Sequence, residues 1–243
     1  MLKNRQGEVN INYQGYEMVI INYISNVNID IKFINNNSIR YKKGYKEFKN
    51  GSIKNLYHPE IYGIGYCGDG LYNSTKHPKH YDVWRSMLKR IYNRKGEHYE
   101  YYKDCTVDER WHNFQNFAQW FEENYIEGFQ LDKDILVKGN KIYSPETCCF
   151  VPQEINKLFT KRDSKRGDYP IGVGKYRNNS YSAQITLNNS HKYIGTFNTP
   201  EEAFEAYKIT KENYIKELAD KWRGLISSKV FEVMYSYEVE IID

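Results

Sequence analysis

Several things are scarce in this 243-residue chain, and each absence removes a class of protein. The four cysteines, Cys67, Cys105, Cys148 and Cys149, form no CxxC spacing, so reduced thiols in a cytosol are the expectation. No apolar run approaches 18 residues, which argues against a membrane span. No apolar N-terminal stretch reads as a secretory signal, and the expected location is cytoplasmic. A net charge of only +4 excludes a polycation, so any acidic partner must be met by local patches. What is present is apolar and aromatic: 40% hydrophobic residues, with 24 Tyr and 11 Phe, are enough to build packed cores rather than a disordered chain.

Charge is unevenly placed. Residues 1–58 hold 9 basic and 4 acidic side chains, 59–167 hold 17 and 16, and 168–243 hold 9 and 11. These three stretches also differ in pattern, and we expect three small pieces in an α+β fold. The first, 1–58, alternates in strand fashion (EVNINY, YEMVIINYI, VNIDIKFI, SIRYK) between Gly and Asn turns. It reads as a small basic β domain of four or five strands. Its cations gather late, at Arg40, Lys42, Lys43, Lys46, Lys49 and Lys54, and suit either a solvated face or phosphate contact.

The middle piece, 59–167, turns helical. Trp84, Met87, Leu88 and Ile91 recur at i, i+3, i+4 and i+7, and Trp111, Phe114, Phe117, Ala118 and Phe121 make a second apolar face. Core packing explains both sets better than base stacking. The stretch KRDSKRG, 161–167, reads as a charged linker. The last piece, 168–243, has three strand-like runs joined by Asn-Asn turns at 178–179 and 188–189. A helix follows, signalled by Thr199 as N-cap, Pro200 at its first position and Glu202 completing a capping box. The tail from Lys229 reads as an element docked on the body. Vicinal Cys148 and Cys149 point to opposite faces of a strand with no second pair at ligand spacing, so Cys148 reads as a small buried hydrophobe rather than a zinc ligand.

Two resemblances add function. The run GVGKYRNNSYSAQITLNNSHKYIGTFNTPEEAFEAYK resembles the AP2 DNA-binding domain over about 60 residues, through Gly172-Val173, Tyr181, Ala183, Ile185, the Ile194 to Phe197 strand and the capped helix. It implies a three-stranded sheet plus helix, with the sheet in the major groove of double-stranded DNA. Ile171 and Gly174 stand where plant members carry arginine, which leaves Lys175, Arg177, Tyr181, Gln184, Thr186 and Lys192 as candidate nucleic-acid-binding residues. Strand alternation sets Ser182, Gln184 and Thr186 opposite the core face, which makes Gln184 the candidate for a base and Lys192 for a phosphate.

The order W-x-x-M-L-x-R-x-Y, then V-x-x-x-W-x-x-F-x-x-F, LDKD, YSPETC and IN is similar to phage-encoded HNH endonucleases. That resemblance implies a hairpin and helix, an HNH-like ββα region, around one divalent cation such as Mg²⁺. Asp132 would fall on the metal-binding acid and Asn156 on the helix ligand. Lys133 stands in place of the general-base histidine, and Thr147 in place of the asparagine that ties the hairpin. An ammonium has no lone pair with which to take a proton. Three substitutes stay open: Asp134 as base or second ligand on one strand face with Asp132; a histidine from elsewhere (His98 or His112, less closely His77 or His80); or metal-activated water, with Lys133 stabilising the phosphate. The implied function is a site-specific, homing-type DNA nicking endonuclease in a host-cell cytosol. The alternative is a DNA-binding or host-interaction protein, a regulator or an inhibitor of nucleic-acid defence, that has kept the fold and lost the chemistry.

Overall fold

A computed structural model describes residues 4–96, 99–159, 169–187 and 190–241. The chain is mixed α and β with several small sheets, divided into two compact units: Met1–Tyr102 with Glu109–Gln119, and Lys103–Asp108 with Trp120–Asp243.

In the first unit, strands β1 (Val9–Ile11), β2 (Glu17–Ser25), β3 (Asn28–Phe33) and β4 (Ile39–Lys43) form an antiparallel meander in chain order. Alternation sends Met18, Ile20, Ile29, Ile31 and Phe33 to one side, where Phe48 of α1 (Tyr45–Lys49) and Ile53 close the core. Helices α2 (Pro78–Tyr92), α3 (Tyr99–Tyr102) and α4 (Phe114–Asn124) follow, the unit boundary falling inside α4. Trp84, Met87, Leu88 and Ile91 of α2 are buried as their spacing requires, and the Trp84 indole donates to the Trp111 carbonyl at 2.7 Å. The glycines of GIGYCGDG let backbone lie against side chains. A Cβ at Gly68, whose φ is +67°, would sit 2.2 Å from Asn113 Oδ1.

The second unit holds two two-stranded ribbons, β5 (Thr106–Val107) with β7 (Ile142–Tyr143) and β6 (Gln130–Asp132) with β8 (Cys149–Val151), followed by α5 (Gln153–Phe159). Beyond lie β9 (Val173–Lys175), β10 (Tyr181–Leu187) and β11 (Ser190–Phe197), an antiparallel sheet of order β11-β10-β9, then α6 (Pro200–Lys221) and α7 (Ser228–Tyr235). Ala183 and Ile185 pack on Ala203, Phe204 and Tyr207 of α6, and the tail adds Val239 to that core. Thr199 caps α6 by accepting from the Glu202 amide at 3.2 Å, while the Glu202 carboxylate reaches back to the Asn198 amide rather than to that of Thr199. The 161–167 linker and the 188–189 turn lie outside the described residues.

Candidate functional site

Strand β6 runs antiparallel to β8, with Asp132 opposite Cys149, and α5 begins two residues after β8. Asn156 of α5 donates to the Gln130 side chain at 2.8 Å. Gln130 and Asp132 share a side of β6, so Asn156 stands on the side of the ribbon that Asp132 faces. The two residues expected to hold a cation therefore belong to one small ribbon-and-helix element. Asp132 Oδ1 accepts from the amides of Asp134 (2.7 Å) and Ile135 (2.8 Å), and Oδ2 accepts nothing from the described residues. Burial pushes the Asp132 carboxyl above the ordinary carboxylate range, against the two amides that favour its charge.

The expected paired-acid face does not form. Strand β6 ends at Asp132 because that carboxylate caps the turn that follows, so Asp134 is no longer two residues along a pleated strand. Its carboxylate turns instead to Lys133 Nζ, 2.6 Å away. Lys133 is only 8% exposed, and its ammonium also donates to the Asn140 carbonyl at 2.7 Å. Asn140 answers in kind: its Nδ2 donates to the carbonyls of Lys133 (2.8 Å) and Ile142 (2.7 Å), and its Oδ1 accepts from the Ile142 amide. Lys133 and Asn140 thus close the 133–140 loop on both sides. Asn140 braces this loop, whereas the Thr147 hydroxyl, expected from the HNH resemblance to tie the hairpin, bonds only nearby groups, the Ile142 carbonyl and the Ser144 hydroxyl. The Gly139-Asn140 turn was visible in the sequence, but not the reach of its side chain.

Of the histidines considered as substitutes, His77, His80 and His112 belong to the first unit and His98 lies outside the described residues. Among the described residues no three His, Cys, Asp or Glu side chains gather as a metal-holding group, so a cation here would have one carboxylate and one amide from protein and would need water or phosphate oxygens besides. Cys148 and Cys149 are buried, and burial pushes the Cys148 thiol up to about 12, which keeps it an uncharged packing group. Glu154, which drew no notice in the sequence, joins α5 to the end of α6 by accepting from Lys221 Nζ at 2.6 Å and from the Trp222 indole. Partial burial works against its charge, but these two donors hold its carboxyl below the usual range.

The second candidate surface is the side of the C-terminal sheet away from α6. Cross-strand pairs Ser182↔Thr196, Gln184↔Tyr193 and Thr186↔His191 lie on it. His191 Nε2 lies 2.8 Å from Gln184 Oε1 and its Nδ1 3.3 Å from the Thr186 hydroxyl, while Gln184 Nε2 donates to Ser182 Oγ. Tyr193 and Thr196 share a hydroxyl hydrogen bond. Gln184 and Thr186 are where alternation puts them; His191 and Tyr193 were missed, because their facing depends on register. The expected cations are not on this side. A bulge between Ala183 and Gln184 inserts Ile194 into β11 and pairs Lys192 with Ile185, on the helix side. Lys175 likewise pairs with Tyr181, which packs on the core, and Arg177 sits in the turn where Asn178 and Asn179 adopt positive φ. The open face is polar and, among the described residues of β9, β10 and β11, carries no lysine or arginine.

Compared with family models, curated proteins and solved structures, the chain matches none.

Proposed function

We propose that the protein binds double-stranded DNA through the open face of its C-terminal sheet. On this reading the chain is a phage-type protein of HNH-like and AP2-like build, working in a host cytosol, whose ββα element braces the fold rather than cutting. The observation that carries DNA reading is the open face itself: Gln184, Thr186, His191 and Tyr193 present amide, hydroxyl and imidazole groups in a row, the types that match base edges. The observation against cleavage through Lys133 is its closed set of bonds to Asp134 and Asn140, which leaves it no role in taking a proton from water. Such a protein acts as a site-specific regulator or an inhibitor of a host defence system.

A second reading, a DNA nicking endonuclease, is favoured by one feature: Asn156 bonds Gln130, which strand alternation sets on the same side of β6 as Asp132. Those two residues would hold Mg²⁺, which supplies activation of water without a protein base. Supercoiled plasmid bearing the gene's flanking DNA, incubated with Mg²⁺ or Mn²⁺, separates the two. We expect wild type and Asp132→Ala to leave it uncut while both retain duplex binding in a gel-shift assay. Nicking by wild type that Asp132→Ala abolishes establishes the second reading instead.

A further inference from the structure

We infer that the N-terminal sheet is a second DNA-contacting surface, a grip on the duplex backbone made by Arg40, Lys42, Lys43 and Lys46 beside the apolar tip Ile24 and Val27. The inference rests on the DNA-binding reading and answers a gap in it. Among the described residues the open C-terminal face carries no lysine or arginine, yet non-specific duplex affinity comes almost wholly from cations that displace counterions from phosphate.

The first unit supplies them. Of the four acids in residues 1–58, three are taken up locally. Glu8 pairs with Arg5 and lies 3.6 Å from Lys49, Asp30 accepts from the Asn22 side chain and the Lys42 amide, and Glu47 caps the Gly44 amide. Arg40, Lys42, Lys43 and Lys46 make no ion pair among the described residues. They fall within seven positions along β4 and the start of α1; Arg40 and Lys43 pair with the core-facing Ile31 and Ile29 and are half-buried, while Lys42 and Lys46 are exposed. Lys42 has a φ of +52°, costly for a long side chain, in an irregularity of β4 held by Asp30. That irregularity leaves its side chain exposed. The β2–β3 tip lies next to these cations, since Ile29 pairs with Lys43 and the Tyr45 amide donates to the Asn26 carbonyl. Val27 there is 81% exposed and Ile24 58%. An apolar tip flanked by cations suits the sugar edge and groove of a duplex.

The test uses the full chain, duplexes of random sequence and the protein's own flanking DNA, over a salt series. Lys42→Gln/Lys43→Gln/Lys46→Gln should bind every duplex more weakly by one common factor. Its salt slope should fall by about 0.9 for each phosphate no longer neutralised, so that three phosphates amount to about a 40-fold difference between 50 and 200 mM salt. Because Lys43 is half-buried, Lys42→Gln/Lys46→Gln, exposed at both positions, serves beside it with about two-thirds of that slope change. Val27→Ser should weaken binding with the slope intact. Gln184→Ala, by contrast, should reduce discrimination between duplexes and leave the slope alone. If the lysine variants match wild type while Gln184→Ala loses discrimination, the grip is wrong and the DNA reading stands. Loss of binding in the lysine variants with no effect of Gln184→Ala supports the grip and removes the sheet from the interface. No duplex binding by wild type, or binding only to vesicles of anionic phospholipid, overturns the grip and the DNA reading together.

Discussion

The ββα element and the C-terminal sheet are both rich in polar side chains, and they use them in opposite ways. In the element, Lys133, Asp134 and Asn140 satisfy one another, and Asp132 caps the turn that its own strand leads into. On the open face of β10 and β11 the polar groups bond sideways to each other and stay accessible: Gln184 to His191, Tyr193 to Thr196. A polar residue enclosed by its own loop is architecture, whereas one held in place on an open face is preorganised for a partner. The same residue types therefore carry different expectations, and substitution can tell them apart.

The largest effect should come from the hidden side of the sheet. Gly172 has a φ of +76°, and a Cβ there would lie 2.0 Å from Cδ2 of the buried Tyr207 ring. Gly172→Ala should cost about 3 kcal/mol, read as a lower urea midpoint. Next, Lys133→Met removes the donor shared by Asp134 and the Asn140 carbonyl and should cost about 2 kcal/mol with duplex affinity unchanged. An unaltered midpoint together with abolished DNA binding would break the contrast, because Lys133 would then belong to an interface. Gln184→Ala should do the reverse: a loss of discrimination between duplexes of about tenfold, about 1.4 kcal/mol, at constant stability.

Asp132→Asn should have the smallest effect and the most informative sign. Asparagine can still accept from the Asp134 and Ile135 amides, and it removes a carboxyl whose folded value burial has raised. A raised folded value means that the wild-type carboxyl contributes most below the ordinary carboxylate range and loses that contribution as pH rises through the folded value. The variant should therefore melt slightly higher than wild type near neutral pH, with the advantage fading on acidification. Thermal melts at a series of pH values check it, and an advantage that grows toward acid contradicts the burial argument.

Sequence periodicity carried further in some elements than in others. Trp84, Met87, Leu88 and Ile91 lie buried on α2, Thr199 caps α6, and Ala183 and Ile185 face the core, because each depends on spacing within a single element. The end of β6 was not legible, since Asp132 stops the strand with a side-chain bond that no propensity announces. Nor was the clasp of Glu154 by Lys221 and Trp222, which joins residues 67 and 68 positions apart.

By itself, the sequence determined the apolar faces, the capped helix, the alternation of β10 and the cation-rich second half of the N-terminal sheet, all matters of local period and composition. Tertiary structure alone decided that Lys192 turns to the helix side and that Lys133 closes a loop. One extra residue in β11 reverses the facing of Lys192, and a lysine's role is set by whichever acceptors the folded chain brings to its ammonium.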